Sequence, residues 1–87
     1  MTHYTYEPIP RSVRNITGQL VELARARRCA GHPGTGSLNE RIAVALVLDR
    51  ADWLTEMGCS LLDATQQLDA VWLQACREAQ RTLRRRA

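Results

Sequence analysis

Lysine and phenylalanine are missing from this chain of 87 residues, and all twelve of its cationic side chains are arginine. Both absent residues have AT-rich codons, so a GC-rich genome accounts for the two losses together. The preference for arginine therefore does not by itself point to a partner. Histidine is scarce as well: His3 and His32 are the only two. A hydroxyl or thiol nucleophile needs a base and an orienting acid beside it, and so few imidazoles make the chain read as a non-enzyme. The three cysteines, Cys29, Cys59 and Cys76, are odd in number and widely spread. That excludes a disulfide framework and suits reduced thiols acting as small apolar residues. No apolar run approaches the roughly 18 residues of a membrane span. The opening "MTHYTYEPIPR" lacks the basic-then-apolar order of a secretory signal, and the expected compartment is the cytoplasm.

What is present is enough apolar residue, 45% of the chain, to bury one modest core. Charge is unevenly placed. Residues 1–36 carry +3, residues 37–69 carry −4 and residues 70–87 carry +4. The acids of the middle are Glu40, Asp49, Asp52, Glu56, Asp63 and Asp69.

Periodicity then supplies the elements. Pro8 and Pro10 disfavour helix in the residues before them, which predicts an extended N-terminal arm over residues 1–11 carrying Tyr4 and Tyr6. From there Val13, Ile16, Leu20, Leu23 and Ala24 recur at helical spacing, with Ser12 as the expected N-cap and Gly31 as the left-handed terminator. Ser37 and Glu40 form a capping-box pair ahead of "IAVALVL". This central helix should be apolar all round and most buried, running to Met57 with a bend near Asp49–Asp52. Ser60 and Asp63 pair in the same way. After them Leu61, Ala64, Leu68, Trp72, Ala75, Ala79 and Leu83 continue at spacings of three and four, and Asp69 could cap a separate segment. The expected fold is all-α: a small three-helix bundle, or four-helix if the chain breaks near Leu68. The helical domain spans residues 12–83 and a basic C-terminal tail follows over residues 84–87.

Several motifs bear on chemistry. Cys29-x-x-His32 has the spacing of half a zinc knuckle, but Cys59 and Cys76 lie 17 residues apart, which is not the second close pair that such a site needs. No metal and no cofactor is expected. Gly31 and Gly36 match the outer glycines of a phosphate-binding loop, yet Ser37 stands where lysine is required. A helix-turn-helix centred on Gly58 would offer Thr65, Gln66 and Gln67 to bases, against Leu54 where a small residue belongs and against Asp63 and Asp69 facing phosphates. An ordinary helical corner fits better.

The arginine clusters carry the functional expectation. Arg25, Arg27 and Arg28 close the first helix, while Arg77, Arg81, Arg84, Arg85 and Arg86 line the last one and the tail. Dense positive charge of this kind binds nucleic acid by displacing its counterions. In size, arginine-only basicity and want of catalytic groups the chain resembles small accessory proteins of phages and mobile elements in GC-rich bacteria. The first expectation is a regulator that contacts nucleic acid or a nucleoprotein complex. The alternative is an inhibitor or adaptor that binds a host protein through Tyr4, Tyr6, Trp53 and Trp72, flanked by steering charges. A homodimer with a seam from Leu61 to Leu83 would fit either.

Overall fold

The computed structural model describes residues 10–34 and 36–85. Among them are five helices and no strand: α1 (Arg11–Ala30), α2 (Leu38–Val47), α3 (Ala51–Glu56), α4 (Leu61–Gln67) and α5 (Ala70–Arg85). The all-α class holds. The helices outnumber the three or four expected because both suspected bends are complete breaks. The predicted N-terminal arm lies outside the described residues, apart from Pro10 and Arg11. Arg84 and Arg85, expected in the tail, are the last residues of α5.

Each boundary has a local cause. Pro10, not Ser12, occupies the N-cap of α1; its carbonyl accepts from the Arg14 N–H at 3.0 Å, and no side chain caps the helix. Gly31 ends it in the left-handed region at φ 78°, its N–H reaching the Arg27 carbonyl at 2.8 Å. The box that opens α2 is reciprocal: Ser37 Oγ accepts from Glu40 N–H at 3.2 Å, and Glu40 Oε1 accepts from Ser37 N–H at 2.9 Å. Asp63 and Ser60 open α4 in the same manner. Leu68 is extended, and the Asp69 carboxylate takes the Trp72 N–H at 2.9 Å, which restarts the chain as α5.

The end of α2 departs from expectation. Asp49 sits at φ 57°, with its N–H on the Leu46 carbonyl at 3.1 Å and the Arg50 N–H on the Ala45 carbonyl at 2.8 Å. These are the two bonds of a Schellman motif, which normally falls on glycine because an L side chain there is strained. The end of α3 uses the same pair of bonds on Gly58 at φ 71°. Asp49 thus stops the central helix ten residues before Met57.

The core is alanine-rich. Ala24, Ala43, Ala45, Ala64, Ala75 and Ala79 are fully buried beside Val13, Leu20, Ile42, Val44 and Leu54. Two specific contacts tie α2 to α5. Cys76 Sγ lies 3.9 Å from the Ala43 carbonyl, and Gln80 Nε2 donates to the Val47 carbonyl at 3.3 Å. Both contacts advance by four residues in the same sense, so the two helices run parallel where they touch. The stripe from Leu68 to Leu83 faces this core within the chain. The seam expected to carry a homodimer is therefore used internally, and its first member, Leu61, is 58% exposed.

Trp53 is the largest buried side chain, only 2% exposed. Arg50 covers it, with its guanidinium carbon 4.4 Å from the ring centre, and Asp52 holds Arg50 there through two hydrogen bonds of 2.7 and 2.9 Å. This corrects the expectation that Trp53 anchors a partner: the ring is already spent on the fold.

Two substitutions near this corner should act with opposite sign. Trp53→Ala removes a filled core volume and should cost about 3–5 kcal/mol, a large share of the stability of so small a domain. Asp49→Gly relieves the left-handed backbone and should add about 1 kcal/mol. Urea denaturation of the two variants beside the parent checks both signs.

Candidate nucleic-acid interface

Two arginine clusters that are far apart in sequence meet in space. Arg28, in the last turn of α1, and Arg84, in the last turn of α5, line one groove of about 190 Å³ with Val47, Leu48, Asp49, Gln80 and Leu83. The C-terminal ends of α1, α2 and α5 therefore lie at one end of the molecule. Arg77, Arg81 and Arg84 continue from there as an exposed stripe on α5, on the side of the helix away from Ala75, Cys76, Ala79 and Leu83.

Electrostatics decides how much of this charge is left over. Each helix C-terminus carries about half a negative charge, so the ends of α1 and α5 absorb part of the positive field of Arg27, Arg28, Arg84 and Arg85. Allowing also for the end of α2 and for Asp49 in the groove, about 1.5 of their four positive charges remain at this end. Among the described residues, the ion pairs that do form are local. Arg25 lies 3.9 Å from Glu22, Arg81 is 3.1 Å from Glu78, and Arg50 is 2.7 Å from Asp52. Such exposed pairs contribute little energy. The hydrogen-bonded pairing holds the Asp52 carboxyl below its usual range and raises Arg50. No described arginine of α5 pairs with Asp49, Asp52 or Glu56.

The expected site residues are not all equal in this arrangement. Arg28, Arg77, Arg84 and Arg85 are exposed, and none of them is in an ion pair among the described residues. Arg25 and Arg81 are exposed but paired within their own helices. Arg27 is half-buried, its guanidinium against Gly34 where a side chain would otherwise sit, and its Nε has no partner. It braces the loop after α1 and presents little to solvent. Trp72 is half-buried against the core. Arg86, Tyr4 and Tyr6 lie outside the described residues.

The Cys29–His32 motif also resolves. Cys29 is exposed, Cys59 is intermediate and Cys76 is buried. Nδ1 of His32 accepts from the Gly34 N–H at 3.1 Å, which shapes the turn. Among the described residues no three His, Cys, Asp or Glu side chains come together as a metal site would require. Around Gly58, α4 has only seven residues, and its exposed side bears Leu62 and Asp63 in place of cations.

One surface went unread in the sequence: a groove of about 360 Å³ between α2 and the α3–α4 corner, lined by Leu38, Ile42, Met57, Cys59, Asp63 and Gln66 among others. The signal was available. No cation falls between Arg50 and Arg77, and two leucines stand side by side in the first turn of α4.

Thiol reactivity offers a test of these placements. Burial pushes the Cys76 thiol up to about 11, while burial and the charge of Asp63 raise Cys59. Cys29 should alkylate first at pH 8 and Cys76 last. Because the folded state keeps Cys76 protonated, stability is complete below pH 9 and is lost as pH rises from 9.0 towards 11. The loss should be about 2–3 kcal/mol, and Cys76→Ala should remove most of it, as read by denaturation across that range. No protein-family model, curated protein or solved structure matches this chain.

Proposed function

We propose that this chain is a small non-enzymatic regulatory protein, of the phage or mobile-element kind, that contacts nucleic acid or a nucleoprotein complex through its arginines. The observation that carries this is the meeting of Arg28 with Arg84 at one end of the molecule, continued by Arg77 and Arg81 along α5. A guanidinium forks onto phosphate oxygens bidentately, and a row of them displaces counterions from a polyanion. Contacts of this kind to phosphate fix position and carry no sequence information themselves. Val47, Leu48 and Leu83 line the groove beside Arg28 and Arg84, an apolar surface along which long arginine stems can lie. Asp49 at the groove works against a bound phosphate and keeps the affinity moderate.

The alternative, an adaptor or inhibitor docking on a host protein, no longer has Trp53 as an anchor. What favours it is the groove lined by Leu38, Ile42 and Met57 at the α3–α4 corner.

Fluorescence anisotropy with a labelled duplex across a salt series tests the proposal. The logarithm of affinity should fall against that of salt with a slope of about −4, for some four or five phosphate contacts. Arg28→Gln and Arg84→Gln should each reduce the slope by about 1 and weaken unrelated duplexes equally. A salt-independent affinity, or variants that bind as the parent does, would overturn it.

A further inference from the structure

The groove between α2 and the α3–α4 corner supports an inference that stands apart from the arginine end. Leu62 is 76% exposed, Leu61 58% and Leu38 44%, and they are the exposed large apolar side chains among the described residues. Leu38 lines the groove directly, with Ile42 and Met57 as its apolar floor. Leu62 stands next to Asp63 and one helical turn before Gln66, both of which line it. Neither Leu61 nor Leu62 contributes to the core, so the fold does not explain why two leucines begin a capped helix in water.

The charge that α3 and α4 place beside these leucines has one sign. From residue 51 to residue 76 the chain holds Asp52, Glu56, Asp63 and Asp69 and no cation. Arg50 satisfies Asp52; Glu56, Asp63 and Asp69 have no cationic partner among the described residues. The one guanidinium on the adjoining turn of α2, Arg41, is half-buried. A second copy meeting this face across a two-fold axis would set the same acids against each other. The arginine end of the molecule lies at the far, C-terminal end of α2, while Leu38 is the first residue of that helix.

We propose that this groove is a docking site for a basic amphipathic segment of a partner protein: aliphatic anchors on one helical face seat against Leu38, Ile42, Met57 and Leu62, and flanking Lys or Arg meet Glu56 and Asp63. The mode is helix-in-groove recognition, with apolar contact giving affinity and the acidic rim giving selectivity. The chain then has two faces, one for phosphate and one for a cationic protein segment, and bridges the two.

The probe is a synthetic amphipathic peptide with leucines at i, i+4 and i+7 and Lys/Arg flanks, compared with an isomer whose flanks are Asp/Glu. Titration is followed by amide and methyl NMR shifts of the full chain. The basic peptide should shift Leu38, Ile42, Met57 and Gln66, bind at least tenfold tighter than the acidic isomer, and lose at least tenfold in Leu62→Gln, whose fold is checked by its unchanged remaining spectrum. Equal binding of both peptides, no binding, or shifts centred on Arg28 and Arg84 would overturn the proposal. So would a concentration-dependent dimer of the parent chain that Leu62→Gln abolishes, because the groove would then belong to a second copy.

Discussion

The contact between α2 and α5 sets where the helix ends of this molecule lie: Cys76 meets the Ala43 carbonyl and Gln80 meets that of Val47. Gln80 can reach the last carbonyls of α2, and it does so at Val47, satisfying an acceptor that the helix end would otherwise leave open. The contact fixes the two helices as parallel. α1 then packs along α5 with its own C-terminus at the same end. Parallel helices accumulate negative helix-end charge at one place. Arginines in the last turns of α1 and α5 answer it, and they exceed what the helix ends require.

Segregation of charge along the chain becomes segregation in space by the same route. Asp52, Glu56 and Asp63 lie on α3 and α4, the short helices that pack against α2. Arg50 is the exception that shows how firmly local pairing acts: Asp52 captures it two residues on, and together they roof Trp53. Asp49, one residue earlier, adopts a backbone conformation that glycine would occupy without strain and lies in the same groove as Arg28 and Arg84. Its place there links the break between α2 and α3 to the electrostatics of the basic end.

Much of the fold was legible because its signals are local. The capping boxes at Ser37 and Ser60 and the glycines at 31 and 58 act through bonds within a turn of themselves, and each boundary they mark is where the spacing placed it. Pro10 displaced Ser12 as the N-cap of α1: its carbonyl accepts the Arg14 N–H, and the helix begins two residues earlier than a cap at Ser12 would set it. At Asp49 the sequence suggested only a bend, because aspartate marks a left-handed terminator far more weakly than glycine does. The two tryptophans sit at equivalent helical positions in the sequence, and only tertiary packing decides that Trp53 is core while Trp72 stays half-exposed. Which arginines count was hidden for the same reason. Arg27 and Arg28 are adjacent, yet a 100° step around the helix puts one against Gly34 and the other on the groove.

The central claim is that two sequence-distant arginine clusters act as one phosphate-binding surface. The most direct measurement is the set of arginine Nε–Hε resonances of the labelled chain as a short DNA duplex is added at low salt. The account predicts that Arg28, Arg77 and Arg84 shift together on one binding curve while Arg50 stays still. Shifts confined to Arg11 and Arg14, or a set of arginines that titrate independently of one another, would contradict it.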